Sequence, residues 1–397
     1  MKKLILAFAL FSATLNAIAQ NEKPKEDKKW FESIQLRGYA QVRYNGLFET
    51  NPNLGCESCD RSWGGTNGFF IRRMRLIFSG QINPRLYFYI QPDFASSSTT
   101  TALNFGQLRD MYFDLGLDND NEFRIRIGQS KIPYGFENMQ SSQNRLPLDR
   151  ADALNSAISN ERDLGAMFYW APKEKRKLFS SLVKEGLKGS GDYGVFGLGI
   201  YNGQTANRPE LNLNRHIVAR LSYPFEIKNQ IIELGIQGYK GKYTFNSSQL
   251  SSGVGINDDK TYLDERIAST FVMYPKPFGI LAEYNVGRGP EFDVLLDSIT
   301  TQKLSGGYIT ASYKIDGENQ TIIPFVRYQR YSGGKKHELD ARSYDIKDLE
   351  IGAEWQPSKQ FELVAMYTIA HRRYEDFSKQ DNLQRGNLLR LQAQINF

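Results

Sequence analysis

Arginine and lysine recur at alternate positions in several stretches of this sequence, so that their side chains fall on one face of each stretch. The basic residues on these faces are Arg37, Arg43, Arg73, Arg75, Arg124, Arg126, Lys131, Arg220 and Arg390. A guanidinium group offers two parallel N–H donors, which match the oxygens of a phosphate or a carboxylate. Such rows predict the attraction and guiding of anions, a chemistry in which no bond is made or broken.

Carboxylates fall on the same kind of face in other stretches. They are Asp110, Asp114, Glu233, Glu283, Glu350, Glu354 and Glu362. Basic and acidic walls that face each other across a pore would set up a transverse field, which orients dipolar solutes and argues against a dedicated anion channel. The alternative interpretation is that many of these charges pair with one another and hydrate the interior.

The stretches that carry these charges have the two-residue period of β-strands. From Leu389 to Phe397 every odd position is apolar and every even position is polar, and a similar alternation begins at Ser33. One apolar and one polar face suit a transmembrane barrel with lipid outside and water inside. We expect the last strand to close against the first, which joins Arg390, Arg37, Arg43, Arg73 and Arg75 into one basic wall.

The spacing of turn residues predicts an all-β fold, a transmembrane antiparallel β-barrel of about sixteen strands, with fourteen or eighteen as alternatives. The predicted short turns are Gln81 to Arg85, Leu117 to Glu122, Pro172 to Lys177, Phe225 to Gln230, Pro275 to Pro277, Asp316 to Asn319 and Pro357 to Gln360. For Leu178 to Tyr193 the sequence leaves a strand extension, a separate hairpin and a long turn open.

Longer connections alternate with these turns. They are Glu49 to Asn67, Ala95 to Leu103, Ile132 to Asp163, Gly203 to Asn214, Tyr243 to Asp264, Gly287 to Lys303, Gly333 to Arg342 and Tyr374 to Asn387. Ile132 to Asp163 is long and lacks strand alternation, and such loops in compact folds are usually functional. The segment RADALNSA inside it predicts a short helix around Asp149 to Ala157, with an aspartate cap.

The N-terminal residues 1–19 combine two lysines, an apolar core and a small-x-small site, which predicts a secretory signal peptide. Residues 20–32 form a charged periplasmic leader, and residues 33–397 form the predicted outer-membrane barrel. After residue 19 the sequence contains no run of about 18 apolar residues, so it predicts no membrane-spanning helix. Cys56 and Cys59 are too few for a zinc site and predict a small disulfide in an exported protein, so we expect neither metal nor cofactor.

The composition of the chain favours a membrane barrel. The chain has 13% aromatic residues, yet its mean hydropathy is −0.50, as aromatic girdles around a wet interior require. The net charge of +6 comes without a basic run interleaved with stacking aromatics, so we expect no nucleic-acid partner. A soluble secreted β-rich binding protein remains the alternative fold assignment.

An outer-membrane enzyme, a protease or a phospholipase, is the alternative from another functional class. It would need a nucleophile and a base at one rim of the barrel. The three histidines are His216, His337 and His371, and none of them lies in a recognisable serine or aspartate constellation. We therefore expect no enzyme activity.

Three motifs, in this order, resemble those of the phosphate-selective porin O and P family. They are Phe69 to Leu76 followed by Gly80, which is similar to the family's RRxRL…G strand; Arg126 to Glu137, similar to GxxKxPFGxE; and Glu161 to Gly165, similar to xRDxG. The resemblance extends from about Ile34 to Phe397. It implies an outer-membrane porin, and phosphate specificity is not implied for every member.

The resemblance also implies a sixteen-stranded, trimeric channel for small anions or hydrophilic solutes, whose third extracellular loop, here Ile132 to Asp163, folds into the pore. The residues of this loop that would then meet solute are Arg145, Arg150, Arg162 and Glu137. The alternative for Arg150 and Arg162 is that they hold the loop to the wall through ion pairs. Phe397 resembles the terminal aromatic residue that the barrel-assembly machinery reads, and lipid would contact the outward face.

Overall fold

The computed structural model describes residues 29–49, 68–95, 104, 106–380 and 382–397. The predicted signal peptide, most of the leader, and Cys56 and Cys59 lie outside the described residues, so these remain predictions. The described chain begins with a 3₁₀ turn, Trp30–Ser33, whose Ser33 hydroxyl donates a hydrogen bond to the Gln81 carbonyl at 2.6 Å.

The predicted antiparallel barrel of sixteen strands is confirmed. The strands are β1 Gln35–Glu49, β2 Gly68–Asn83, β3 Leu86–Asp93, β4 Gln107–Gly116, β5 Phe123–Lys131, β6 Arg162–Trp170, β7 Phe196–Tyr201, β8 His216–Ile227, β9 Gln230–Thr244, β10 Thr261–Met273, β11 Phe278–Asp293, β12 Ser298–Tyr313, β13 Thr321–Gly334, β14 Ser343–Ser358, β15 Phe361–Glu375 and β16 Asn382–Asn396. Ile315–Asp316 continues β12 along the same neighbour. Each strand pairs with the next, and β16 pairs with β1.

The alternation of the last strand has the predicted orientation. Leu391 and Ile395 are 44% and 52% exposed on the outward face, whereas Arg390 and Gln394 are each 1% exposed inside the barrel. Similar apolar residues are exposed around the barrel, for example Val42, Ile127 and Ile236. Since hydrocarbon would cover them in a bilayer, this outward face is consistent with a membrane-spanning barrel.

The two ends of the barrel sheet close tightly. Gly38 and Phe397 exchange two backbone hydrogen bonds of 2.6 and 3.0 Å. A Cβ atom at position 38 would lie 2.5 Å from the Arg75 carbonyl oxygen and 2.7 Å from the Phe397 ring. A glycine is therefore needed where the last residue packs over the first strand.

Irregularities in two strands change which side chains face inward. The register of β1 on β2 shifts between Gln41 and Val42, so Arg72 joins Arg73 and Arg75 on the inner side. In β5, Gly128 has φ +127°, and the buried positions change from Arg124 and Arg126 to Gln129 and Lys131. Bulges of this kind reverse the strand faces beyond them.

Two predicted long connections are wrong. Within 287–303, β11 and β12 stay paired up to Asp293 and Ser298, which leaves residues 294–297 as the turn. Within 374–387, β15 and β16 are paired as far as Tyr374 and Asn382. These strand ends are polar, so the hydrophobic alternation fades before the backbone ladder ends.

Short helices occupy two of the connections. The long loop contains α1, Phe136–Met139, and α2, Asp152–Asn155. The predicted helix is thus confirmed as α2, but its aspartate cap is wrong: Ala151 is the N-cap and makes no side-chain hydrogen bond, and Asp152 is already helical. Lys173–Lys184 forms α3, so the predicted turn at Pro172 to Lys177 is wrong. The strand extension, the hairpin and the long turn considered for Leu178 to Tyr193 are wrong as well, because this segment begins within the helix. In the described ranges, no helix is long and apolar enough to cross a bilayer.

Candidate functional site: the barrel lumen

The connection between β5 and β6, residues 132–161, folds into the barrel and is called L3 below. Its ends are joined by the hydrogen bond from the Ile132 amide to the Glu161 carbonyl, 3.0 Å long. Ala153 and Leu154 are fully buried against lumen-facing aromatic residues such as Tyr308 and Tyr331. The predicted inward-folding third loop is therefore present, and it packs against lumen-facing side chains of the barrel.

Asp149 of L3 meets three arginines from neighbouring strands. Its carboxylate lies 2.9 Å from Arg43, 3.2 Å from Arg72 and 2.6 Å from Arg390. Burial alone would raise the pKa of Asp149, but the three guanidinium groups outweigh it and hold this pKa well below its ordinary value. Arg43 and Arg390 were predicted to face solute, and the structure shows instead that they hold L3. Arg72 was not among the predicted residues, because only the bulge in β2 turns it inward.

Helix α1 of L3 is held by the opposite wall. The Glu283 carboxylate accepts hydrogen bonds from the backbone amides of Phe136 and Glu137, 2.6 and 2.9 Å long. Glu137 accepts from Arg327 at 2.8 Å and from the Ala151 amide at 2.7 Å. Burial raises the pKa of Glu137 although Arg327 opposes the shift. Glu137 is therefore part of the contact between L3 and β13.

Arg162 makes the predicted ion pair with the barrel wall, whereas the ion pair of Arg150 lies within L3. Arg150 lies 3.0 Å from Glu161, and Arg162 lies 2.8 Å from Asp110 of β4. Lys131 donates to the Met139 and Gln140 carbonyls at 3.0 and 2.7 Å. These contacts favour the alternative in which Arg150 and Arg162 fix the base of L3.

Arg145 differs from the other three loop candidates. It is 4% exposed, and none of its guanidinium nitrogens has a hydrogen-bond partner among the described residues. It is one of the charges that act on Arg73, which donates to Gln41 at 2.8 Å and whose Nε also lacks a partner in the described ranges. Arg75 donates to Asp93 at 2.7 Å and to the Tyr39 hydroxyl at 2.7 Å.

An open cavity of about 480 Å³ lies between β2–β5, the tip of L3 and α3. Eight cations line it: Arg37, Arg85, Arg124, Arg126, Lys131, Arg162, Arg176 and Lys184. Three carboxylates line it as well, Asp110, Asp114 and Asp192, and each is paired with arginine, for example Asp114 with Arg126 at 2.7 Å. The formal charge of the lining is therefore +5.

The carboxylates of the other side do not face this cavity. Glu233 pairs with Arg220 at 3.0 Å, Glu350 with Arg327 at 2.5 Å, and Glu354 with Lys188 at 2.5 Å. Glu362 lies against Gln394. The prediction of a basic wall facing an acidic wall across open water is wrong, since L3 and the segment after β6 cover the acidic side.

The histidines contribute no recognisable catalytic arrangement. The His216 ring stacks on Tyr239 with centroids 5.9 Å apart, and His337 meets the edge of Tyr243 at 5.1 Å. Within the described ranges, none of the three histidines shares a hydrogen bond with a serine hydroxyl. The arrangement is that of a charged, water-filled passage.

Comparisons with known proteins agree with this geometry. The family model described as phosphate-selective porin O and P matches residues 56–397. The outer membrane channel DcaP of Acinetobacter baumannii is similar in fold, with 14% identity, a TM-score of 0.54 and coverage of 92% of this chain and 97% of that one. The Salmonella typhi OmpF complex with daunomycin is also similar in fold, with 15% identity, a TM-score of 0.54 and coverage of 92% of this chain and 97% of that one.

The trimer form of OmpT from Vibrio cholerae is similar to a comparable degree. Its identity is 11%, its TM-score is 0.51, and the match covers 92% of this chain and 99% of that one. A comparison with curated proteins gives no match. The family match and the closed barrel indicate an outer-membrane channel. The chain belongs to the phosphate-selective porin O and P family and is a bacterial outer-membrane porin.

Proposed function

We propose that this porin favours anions and that they pass along the β2–β5 side of its lumen. The observation that carries the proposal is the lining of the open cavity, whose eight cations exceed its three carboxylates. All three carboxylates are already paired with arginine, so the excess charge is left to attract mobile ions. A passage with one sign of charge and low-dielectric walls concentrates ions of the opposite sign.

Arg145 and Arg73 are the proposed oxyanion contacts where L3 approaches β2. Buried guanidinium nitrogens that make no hydrogen bond cost free energy, and an anion that passes between these two groups would lower that cost. Their N–H donors suit the oxygens of phosphate or of a carboxylate. The predicted lining residues that border the open cavity, Arg37, Arg124, Arg126 and Lys131, would also attract anions on the way to the short-turn end of the pore.

The proposed assembly is a homotrimer in outer-membrane lipid. A fold neighbour is a trimer form, and the exposed apolar residues of the outward face suit both lipid and subunit contacts. Phe397, which is 56% exposed, is the proposed signal for the barrel-assembly machinery. Cross-linking of the purified protein in detergent would distinguish a trimer from a monomer.

Arg145→Gln tests the oxyanion contact. We expect phosphate to block chloride current roughly ten-fold less effectively in this variant, because a hydrogen bond to a charged group contributes about 1.5 kcal/mol. The measurement is phosphate titration of single-channel current in a planar bilayer. Arg330→Gln is the matched control, since Arg330 is exposed on the outward face of β13. An unchanged block in Arg145→Gln, or an equal change in both variants, would remove Arg145 from the pathway.

A further inference from the structure

The segment between β6 and β7, residues 171–195, enters the barrel and is called the insert below. Phe179 and Leu182 of α3 are buried together with Phe136 of L3 and with Ile231 and Val272, which are buried on the lumen faces of β9 and β10. Helix α3 therefore packs inside the barrel wall. It lies at the end that carries the short turns, because the Ala171 amide donates to the Glu122 carbonyl at 3.1 Å.

Contacts on opposite sides of the barrel hold the insert across the opening. Lys188 lies 2.5 Å from Glu354 of β14, with side chains that are 9% and 0% exposed. Burial alone would lower the pKa of Lys188, but Glu354 outweighs it and raises this pKa, so the ammonium group stays charged. On the other side, Asp192 lies 2.8 Å from Arg124 of β5.

The insert also contacts L3. The Gln140 side chain donates to the Lys188 carbonyl at 2.7 Å, and Leu187 and Lys188 border a small crevice with Leu146 and Pro147 of L3. The two segments enter from opposite ends of the barrel and meet inside it. The open cavity lies beside them and is lined on the insert side by Arg176, Ser180 and Lys184.

We infer that the insert is a second barrier in the pore, at the end of the short turns, and that Lys184 is a selectivity residue of this barrier. Arg176 is held by Asp192 at 2.9 Å and by the Asn121 carbonyl at 2.8 Å. Lys184 lines the same cavity, is exposed, and has no ion-pair partner among the described residues. Its charge is therefore available to passing ions. The expected preference of this barrier for anions rests on the proposed function, whereas the narrowing of the pore by the insert does not.

Removal of the insert tests the narrowing. Trp170 and Phe196 are paired residues of β6 and β7, so an Asn-Gly turn can join them directly as a two-residue hairpin. We expect the single-channel conductance to rise at least about two-fold, since conduction depends on the free cross-section of the pore. Heat-modifiable mobility in gel electrophoresis establishes that the variant is folded. A folded variant with unchanged conductance would overturn the inference.

Lys184→Glu tests the selectivity residue in the full-length chain and needs no change of backbone. We expect the chloride-to-potassium permeability ratio to change by roughly two-fold at 0.1 M KCl, and less at 1 M KCl, where the Debye length falls from about 10 to 3 Å. Lys228→Glu is the control: Lys228 is exposed in the turn between β8 and β9, away from the cavity. Equal ratios in both variants would overturn the role of Lys184. If the wild type did not favour anions, the proposed function would fail, while a conductance increase on removal of the insert would still support the barrier.

Discussion

The two halves of the lumen use similar charges in different ways. In the half formed by β2–β5, called the open half, arginine–carboxylate pairs line a cavity with a net positive charge. In the half formed by β8–β15, called the filled half, carboxylates such as Glu283 and Glu354 accept hydrogen bonds from L3 and the insert. An inward charge on a barrel strand therefore either lines the open cavity or holds an inserted segment. The groups that pack against the charge decide between these two roles.

The physical reason for the difference is solvation. A charge removed from water must be matched by partners of opposite charge or by N–H donors, and the filled half supplies these to Glu283, Glu350 and Glu354. The open half keeps space for water, so an excess of cations there is tolerated. The predictions below test this contrast.

Asp149→Ala should have the largest effect. It leaves Arg43 and Arg390, which are 0% and 1% exposed at the side chain, without their shared carboxylate. Breaking a buried ion pair in this way costs about 3–5 kcal/mol, and L3 should detach from the wall. The free energy of unfolding, from urea titration in detergent, should fall and the conductance should rise. Asp258→Ala in an exposed loop position is the control, and a similar stability of both variants would contradict this role of Asp149.

The loss of stability caused by Asp149→Ala or by Lys188→Met should be the same at about pH 5 and about pH 9. The pKa of Asp149 is depressed, so its contribution to stability is present above the unfolded pKa and is lost as pH falls through the folded value. The pKa of Lys188 is raised, so its contribution is present below the unfolded pKa and is lost as pH rises through the folded value. Both contacts thus remain charged in this window. Urea titration in detergent measures this loss as a free energy of unfolding, and a loss that differs between the two pH values would contradict contacts that are charged throughout the window.

Lys173→Met should have the smallest effect. Lys173 begins α3 and pairs with Asp120 at 2.5 Å, but these side chains are 49% and 52% exposed. Exposed pairs contribute little because water and salt screen them. We expect no measurable change in conductance or in the urea midpoint. A clear change would mean that the surface of α3, and not its buried face, holds the insert in place.

The sequence predicted the strands better than the contents of the lumen. Alternation such as that of Leu389 to Phe397 has one physical cause, lipid on one side and water on the other, and it is visible within a few residues. The convergence of Arg43, Arg72 and Arg390 on Asp149 joins residues far apart in the chain and depends on a bulge that leaves no mark in hydropathy.

The insert could have been recognised in part. Leu182 lies four positions after Leu178 and three after Phe179, as the buried face of a helix requires, and Lys173 to Lys184 has no strand alternation. What the sequence does not contain is where that face packs, because Ile231 and Val272 on β9 and β10 fit the lumen-facing alternation of any strand. Arg145 was a predicted residue, but its lack of a hydrogen-bond partner among the described residues became apparent only with the fold.

Thiol modification of one residue in each half tests the central claim most directly. In a background with Cys56 and Cys59 replaced by alanine, Tyr89→Cys places a thiol in the cavity lining of the open half, and Thr310→Cys places one in the filled half, where Thr310 is 4% exposed. A bulky methanethiosulfonate reagent should reduce the single-channel current of Tyr89→Cys and leave that of Thr310→Cys unchanged. A reduction in Thr310→Cys alone would place the pathway on the other side of the lumen and contradict this account.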